Sequence, residues 1–582
     1  MSLPPLAVLY DRDDVKRFER ERPDVRAILA LTPLAMAAAT SFGIDIIYAR
    51  YRYRDCSHAR TIVKRERLRA VWREARKGIK IESSVDYILD LSFAVLLHGY
   101  DRLYRVLGPE GPWLVHDGKL WVAHELRNDA ALALCRHILS RYQFFLGEER
   151  CAPPPFSPLY RWLRAALISI IRRGRPSWVT TRSDHPLGLE KALFDTRPKA
   201  RQWHIALATS GSFEYVRVLR EIFRGLAGSK QVQVRSIPYR TAGAERSAKA
   251  AIELMPDVGM RCVLRAFAPK IVALSGLVAG AEQDLSLLLR RLRPDFMLAS
   301  EVADGVTAAL SAVCRELHIP RKFASHNSFS PVIGRVNEIA LQDQMALQYN
   351  NATPEEMLFW NPASLAAAQQ AFPGSHARLR AIALDRRPAA AGRDQTCFRV
   401  LYASNCLRYF SRADWLYENV DEFVEATVHL VTAGLTVEGT CYTVRSKPRR
   451  FEMDEDTLRV VLPASERIEI VFRNDRPFED DLARAGLLVA FRSTTIVQAL
   501  QARIPVLLWG ISNRYRELPG RRTLPAGHDR AAVYSVTEVG RLAEMIRGIR
   551  DAHQNRPLTD EELAPYGWPR GLMTEWEWAA GL

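Results

Sequence analysis

Short apolar segments alternate with longer helical patterns along almost the whole chain, and this alternation constrains the fold most strongly. Residues 6–10, 27–31 and 296–299 are apolar runs too short for helices. Runs of this kind, separated by amphipathic helices, are typical of parallel sheets that are covered on both faces. The sequence therefore predicts an α/β fold.

The chain is long enough for two domains, and a break at residues 386–393 separates them. Its 582 residues exceed what one hydrophobic core normally holds. The break reads RRPAAAGR, and the strand and helix patterns start again after it. We predict two successive α/β domains, here called lobes, joined at this break. The N-terminal lobe covers residues 1–385, with a largely helical insertion at about 58–200, and the C-terminal lobe covers residues 396–582 and ends in helices.

The most informative motif is a polar turn between two apolar strands of the C-terminal lobe. Residues 487–509 read LLVAFRSTTIVQALQARIPVLLW, so Arg492, Ser493, Thr494 and Thr495 join a strand to a helix. One hydroxyl is enough to cap a helix, and this turn has three beside an arginine. Helix starts bind anions, and open α/β sheets bind ligands at the carboxyl ends of their strands. The turn predicts a phosphate site, with a well-capped helix as the structural alternative.

The same segment carries a resemblance to a known family. A strand, a Ser/Thr-rich turn, a helix and a strand led by Ile504 and Pro505 resemble the donor-binding lobe of GT-B glycosyltransferases. In that family a nucleotide-sugar lies in the cleft between two Rossmann-like domains, so the resemblance implies that this chain has two Rossmann-like domains that face a cleft. Members that use CMP-activated acidic sugars (sialic acids and Kdo) hold the CMP phosphate with adjacent Ser/Thr residues at a helix start. The resemblance implies that residues 493–495 hold the donor phosphate and that Arg492 offsets its charge.

Three other residues are candidates for donor binding. A strand at 398–403 runs into Ser404 and Asn405, small polar residues that let a ligand approach the backbone. A helix is expected over residues 415–432 and a strand over 435–442. This places Glu438 within or at the end of that strand, within reach of a nucleoside. A simple tight turn explains the polar residues at 404 and 405 equally well.

Catalytic candidates follow two strands of the N-terminal lobe. Glu301 and Asp304 lie in the turn SEVADG after the strand at 296–299. Glycosyl transfer needs a base for the acceptor hydroxyl or a carboxylate nucleophile. His326 follows the strand at 322–325 and fits a general base or a phosphate ligand. The structural alternatives are a helix cap at Asp304, a solvated Glu301 and a hydrogen-bonded His326.

The charge balance favours anionic partners. Lysine and arginine total 82 against 66 aspartates and glutamates, a formal net charge of +16, which suits a nucleotide-sugar, nucleic acid or an anionic membrane surface. No nucleic-acid-binding module is recognisable, so no nucleic acid partner is expected. Residues 157–178 interleave apolar and arginine side chains, as an interfacial helix at the inner membrane does. A core helix with an arginine-rich end explains that segment slightly better.

Neither a metal ion nor a cofactor is expected. Asp11, Arg12 and Asp13 have the form of a DxD pair, but they follow the first strand and are interpreted as a turn. No signal peptide and no run of roughly 18 apolar residues long enough to span a membrane is evident. The eight cysteines form no CxxC pair and are expected to be free thiols. This fits a cytoplasmic protein, peripheral at most at the inner membrane.

Together these features predict a metal-independent glycosyltransferase. It would move a sugar from a nucleotide-activated donor, with CMP-Kdo or another CMP-sugar favoured, to a bacterial surface glycan or lipid-linked glycan of the lipopolysaccharide or capsule kind. The nucleotide-sugar is a substrate, so no separate cofactor is expected. Two alternatives stay open: a polyol-phosphate or other nucleotide-dependent transferase on the same architecture, and a basic non-catalytic protein that binds nucleic acid or membrane.

Overall fold

A computed structural model shows three parallel or mostly parallel sheets, arranged in chain order. It describes residues 4–49, 67, 70–71, 73–75, 77–79, 83–141, 178–180, 202–207, 231–234, 242–299, 305–324, 354–359, 362–371, 378–382, 397–403, 418–446, 453–472, 475–512, 516–525, 529–554, 556–566, 573 and 575–581.

The first sheet has five strands in the order β3-β2-β1-β4-β5. Strands β1 to β4 run parallel, and β5 forms an antiparallel hairpin with β4. Alternate residues of β1 belong to different hydrophobic cores, so both faces of the sheet are covered. The elements are β1 Leu6–Leu9, α1 Arg12–Glu21, β2 Ala27–Ala30, α2 Pro33–Ala39, a 3₁₀ turn Thr40–Phe42, β3 Ile46–Tyr48, α3 Ser83–Leu107, β4 Trp113–His116, β5 Trp121–His124 and α4 Arg127–Arg141.

The second sheet has seven strands in the order β12-β11-β10-β9-β6-β7-β8, and every neighbouring pair is parallel. The elements are β6 Trp178–Thr180, β7 Gln202–Leu207, β8 Gln231–Val234, α5 Ala242–Leu254, α6 Val258–Leu292, β9 Phe296–Ala299, α7 Gly305–Glu316, β10 Arg321–Ala324, β11 Glu356–Phe359, α8 Pro362–Ala371 and β12 Arg378–Ala381.

The part of the chain predicted as one N-terminal lobe therefore contains two sheets among its described residues. Within residues 58–200 the structure shows the expected long helices α3 and α4, the hairpin β4–β5 and the short strand β6. The additional sheet escapes a sequence pattern because β4 pairs with β1, and β2, β3 and the 25-residue helix α3 lie between these two strands in the chain. Parallel neighbours so far apart in sequence leave no local signature.

Helix α6 joins the first two sheets. It has 35 residues, with Asp257 as its N-cap and Arg293 in the left-handed conformation at its end. Its first half belongs to the core of the first sheet and its second half to the core of the second. Among the described helices, α6 alone is long and apolar enough to cross a membrane by length and composition, and half of its most apolar window is buried. This double burial is that of a core helix.

The third sheet has six parallel strands in the order β15-β14-β13-β16-β17-β18. Counted from β13, this is 3-2-1-4-5-6, the strand order of the Rossmann fold. The elements are β13 Phe398–Tyr402, α9 Val420–Leu435, β14 Thr440–Ser446, α10 Glu455–Val461, β15 Ile468–Phe472, α11 Phe478–Arg484, β16 Leu487–Ala490, α12 Thr495–Gln501, β17 Val506–Leu508, β18 Val533–Ser535, a 3₁₀ turn Val539–Arg541, α13 Leu542–His553, α14 Asp560–Leu563, a 3₁₀ turn Ala564–Tyr566 and α15 Glu575–Ala580.

The predicted fold class is confirmed by these sheets. The second and third sheets both have the Rossmann strand order. When the strands of the second sheet are numbered from β6 and read from β8 to β12, their order is 3-2-1-4-5-6-7. Helices cover both faces of the third sheet, where β13 places Val400 and Tyr402 in one core and Leu401 in the other. The chain is an α/β protein with Rossmann-like domains.

A disulfide joins Cys397 to Cys441 and corrects the expectation that all cysteines are free. Cys397 directly precedes β13, and Cys441 lies on β14 opposite Arg399. The two cysteines are 44 residues apart in sequence, and only the pairing of the two strands brings them together. Cys135, Cys262 and Cys314 are free among the described cysteines.

We expect reduction of this disulfide to lower the stability of the third sheet. A loop of this length loses chain entropy worth about 4 kcal/mol when it is closed, so Cys397→Ser should lower the thermal transition. The measurement is thermal unfolding with and without a reductant, with Cys262→Ser as the control. A wild-type transition that does not respond to the reductant would contradict the expectation.

Candidate functional site

The strand order of the third sheet opens a crevice between β13 and β16. Connections from these two neighbouring strands leave in opposite directions, to β14 on one side and β17 on the other. Ligands of open α/β sheets bind at such a point, outside the carboxyl ends of the strands. Ala403 follows β13 at this edge, and Phe491 follows β16.

A turn of three hydroxyl residues lies at this crevice, and we call it the hydroxyl turn: Ser493, Thr494 and Thr495. It follows the carboxyl end of a strand, as the sequence predicted. The Thr495 hydroxyl donates to the carbonyl oxygen of Ala403 over 3.0 Å, which ties the two strand ends together. The Ser493 hydroxyl oxygen accepts from the Thr495 N–H at 3.2 Å. Thr494 is the N-cap of α12, and its side chain makes no capping hydrogen bond.

The structural alternative for the hydroxyl turn was a well-capped helix, and only some of its hydroxyl groups serve the structure in this way. The hydroxyl groups of Ser493 and Thr495 form hydrogen bonds within the protein, whereas the Thr494 hydroxyl does not cap helix α12. All three side chains are half-buried, and Arg492 is buried beside them. Helix α12 has seven residues, so the hydroxyls and the arginine matter more here than the dipole of so short a helix.

Glu418 is a buried carboxylate at the same edge that the sequence analysis missed. Its side chain is 1% exposed, and its Oε1 accepts from the N–H of Ser512 over 3.3 Å. A Cβ at Gly510 would lie 2.5 Å from this Oε1 and 2.3 Å from Cδ2 of Phe491, so a larger residue at 510 would force one of these side chains to shift. Loops after β13, β16 and β17 thus meet around one carboxylate.

The signal that would have found Glu418 is the start of α9. The predicted helix began at residue 415 and absorbed Glu418 into its first turns. In the structure Asn419 caps the helix, and Asn419 and Glu422 form a capping box. An Asn followed three residues later by Glu is a sequence signature of a helix start, and it places Glu418 in the loop.

Glu438, a predicted donor-binding residue, does not lie at the crevice. The strand expected at 435–442 begins only at Thr440, after α9 has ended at Leu435. Glu438 is exposed at the amino end of β14, and its carbonyl oxygen accepts a hydrogen bond from Arg550. In a parallel sheet the amino and carboxyl ends of the strands lie at opposite edges. The seven residues of β14 separate Glu438 from the crevice by about 20 Å.

The remaining predicted residues lie outside the described parts of the chain. Ser404 and Asn405 follow Ala403 directly, and the strand that leads to them is observed. Strands β9 and β10, which lead to the catalytic candidates, are also confirmed. The residues not described are Ser404, Asn405, Glu301, Asp304, His326 and the basic segment 157–177.

The carboxyl edge of the first sheet faces the carboxyl edge of the third. Arg12, at the start of α1, forms ion pairs with Asp454 and Asp456 at the start of α10. Tyr48, at the end of β3, donates to Asp421 in the first turn of α9, and α2 packs against α9 and α10. Exposed ion pairs stabilise little, so the helix packing holds this contact.

A buried charge cluster fixes the strand ends beside the crevice. Asp481 on α11 accepts from Arg445 on β14 and from Arg476 in the preceding loop. Arg476 also donates to Glu469 on β15 over 2.6 Å, and this hydrogen bond lowers the pKa of Glu469 against the opposing effect of burial. Breaking one partner of such a cluster leaves a buried charge uncompensated, so β14, β15 and α11 hold together.

Comparisons with known proteins match this chain by shape alone. No protein-family model matches the sequence, and no curated protein matches it. Among solved structures, a UDP-GlcNAc 2-epimerase from Neisseria meningitidis with UDP-GlcNAc bound is 10% identical, with 69% of this chain and 97% of that one covered and a TM-score of 0.34.

Two transferase-related structures match to a similar degree. MurG from Acinetobacter baumannii is 12% identical, with 65% of this chain and 95% of that one covered and a TM-score of 0.34. The lipopolysaccharide outer core galactosyltransferase WaaB is 11% identical, with 67% and 95% covered and the same TM-score of 0.34. At these identities the likeness concerns the fold, and the strand orders described above carry that assignment.

Thr494 and Thr495 provide a matched test of the hydroxyl turn. Thr495→Val removes the hydrogen bond to Ala403 and should lower stability by about 1 kcal/mol, whereas Thr494→Val removes a hydroxyl that does not cap. Thermal unfolding of both variants against wild type measures the difference. Equal transitions for the two variants would show that the Thr495 hydroxyl does not fasten the crevice.

Proposed function

We propose that this protein is a glycosyltransferase that takes a sugar from a nucleotide-activated donor. The observation that carries the proposal is the position of the hydroxyl turn, at the switch point of a sheet with the Rossmann strand order. Ligands with phosphate groups bind at this point of such sheets. The hydroxyls of Ser493 and Thr494 and the guanidinium of Arg492 supply groups suited to a diphosphate or monophosphate.

Glu418 would add a second contact to the donor, since its carboxylate suits the ribose. A carboxylate in a Rossmann crevice accepts hydrogen bonds from ribose hydroxyls, and Glu418 is held at the edge shared by β13, β16 and β17. Ser404 and Asn405, next along the chain from Ala403, complete the proposed donor site. The net charge of +16 favours such an anionic substrate.

The finer parts of the proposal concern the substrates and the place of action. We propose a CMP-sugar such as CMP-Kdo as the donor, a bacterial surface glycan or lipid-linked glycan as the acceptor, and Glu301, Asp304 or His326 as the catalytic group. Residues 157–178 would hold the enzyme at the cytoplasmic face of the inner membrane. Hydroxyl-rich turns suit a phosphate of any nucleotide, so the base is the part that most needs an experiment.

A nucleotide screen tests the donor site. Purified protein is heated with CMP, CDP, UDP, GDP or ADP, without added metal, and its thermal transition is measured. A ligand at 100 times its Kd stabilises the folded state by about 2.7 kcal/mol, a shift of several degrees. We expect a shift with CMP that is lost in Ser493→Ala/Thr494→Ala and kept in Thr436→Ala, a control hydroxyl at the opposite edge.

Each outcome of the screen decides something. A shift with UDP or GDP in place of CMP would keep the transferase and discard the CMP donor. A shift that survives in Ser493→Ala/Thr494→Ala would remove the phosphate role from the hydroxyl turn. No shift with any nucleotide would overturn the proposed enzyme and favour the non-catalytic alternative.

The catalytic group is tested by separating binding from turnover. Glu301→Gln, Asp304→Asn and His326→Ala should each leave the thermal shift with the donor nucleotide unchanged. At least one should reduce sugar transfer a hundredfold or more, since acid–base catalysis contributes about 10² to 10⁴. Full transfer activity in all three variants would place the catalytic group elsewhere.

A further inference from the structure

Asp14, His116 and His137 converge from three elements at the crevice of the first sheet. Asp14 lies in the first turn of α1, His116 ends β4, and His137 lies on α4. The order β3-β2-β1-β4 places this crevice between β1 and β4. All three residues are at most 5% exposed, and one ligand atom from each lies within 4.8 Å of the others.

We propose that Asp14, His116 and His137 bind a divalent transition-metal ion, with zinc as the best match. One carboxylate and two imidazoles are a ligand set that zinc uses with its fourth position open. The site is independent of the proposed nucleotide crevice in the third sheet. The sequence analysis expected no metal ion, because it found no DxD pair suited to a metal–nucleotide site. The proposed metal site differs from that expectation.

The distances suit an ion of this size. Oδ1 of Asp14 and Nε2 of His137 are 2.9 Å apart. In a tetrahedral zinc site the ligand atoms lie about 2.0–2.2 Å from the metal and so about 3.3–3.5 Å from each other. The ion would replace the hydrogen bond between these two groups and open their separation by about half an ångström.

Neighbouring groups orient the ligands. The N–H of Tyr10 donates to Oδ2 of Asp14 at 3.0 Å, which leaves Oδ1 directed at His137. Asp11 accepts from the N–H groups of Asp13 and Asp14 and fixes the first turn of α1, so the DxD-like segment is a helix cap. The ring of His116 packs edge-on against Trp121. Outer contacts of this kind hold metal ligands in place.

Arg17 occupies the position that competes with the metal. Its Nη1 lies 2.8 Å from Nδ1 of His116, and the Gly118 N–H donates to the same nitrogen over 3.0 Å. Both donors need a lone pair at Nδ1, so the neutral ring carries its proton on Nε2. The ion would take the Nδ1 lone pair in place of both donors, the half-buried Arg17 guanidinium and the Gly118 N–H.

Charge makes the two cations alternatives. A divalent ion and a guanidinium within a few ångströms repel each other strongly in a buried site. When Arg17 withdraws, the carboxylate of Asp14 offsets one of the two charges of the ion. The affinity of the site therefore depends on a side chain that is not a ligand.

The experiment titrates the full chain, stripped with a chelator, with ZnCl₂ and with CoCl₂. Calorimetry measures affinity, and the visible absorption of Co²⁺ reports tetrahedral nitrogen and oxygen ligands. Arg17→Gln should bind zinc at least tenfold more tightly than wild type. Asp14→Asn, His116→Ala and His137→Ala should each bind at least tenfold more weakly, and His124→Ala, in the same sheet but outside the cluster, should bind like wild type.

The Arg17 variant keeps the test decisive if a histidine variant fails to fold, because a gain of affinity does not come from unfolding. Asp14→Asn keeps an oxygen for the Tyr10 N–H and removes the charge. The proposal is overturned if wild type and Arg17→Gln both bind no metal. It is equally overturned if binding persists unchanged in the histidine and aspartate variants, since the ion then lies elsewhere.

Discussion

Helix α6 is buried in two cores at once, and the relation between the first two sheets depends on it. Met260 and Phe267 pack into the core of the first sheet, whereas Leu285 and Leu289 pack into the core of the second. A helix of 35 residues is about 50 Å long. Moving one sheet relative to the other would expose apolar surface at about 25 cal/mol per Å². The helix therefore makes a rigid junction, and both sheets present their carboxyl edges in fixed directions.

All three sheets contain the strand order 3-2-1-4-5, counted from the first strand of each sheet in the chain, but the side chains at their strand ends differ. Each has its crevice beside the first strand of its own run, at β1, β6 or β13. The first crevice holds imidazoles and carboxylates, and the third holds hydroxyls, an arginine and the carboxylate Glu418. A fold offers the place, and the side chains at the strand ends decide what binds there. Because the edges of the first and third sheets face each other across α2, α9 and α10, the two crevices open into the same region of the molecule.

Much of the fold follows from apolar periodicity, and the missing parts have physical causes. The strand at 296–299 and the hydroxyl turn were predicted where they occur, because buried runs and Ser/Thr-rich turns are local signals. The strand that contains Glu438 was predicted to begin at residue 435, whereas α9 ends there and a turn precedes the strand start at Thr440. Up to 123 residues separate Asp14, His116 and His137 in the sequence, and 44 residues separate the two cysteines of the disulfide. Strand pairing and helix packing bring such residues together, and a single sequence does not encode these long-range contacts locally.

The contact between Arg12 and Asp454 spans 442 residues, and this has a consequence for how the protein is made. A ribosome adds about 5–20 residues per second, so roughly 20 to 90 s pass between the addition of Arg12 and that of Asp454. The core of the first sheet is not even complete until α6, through Ala279, has been added. During that interval the apolar surface of α2 that later meets α9 and α10 is in water. A newly made chain thus passes through a long period in which that surface is open to contact with other chains.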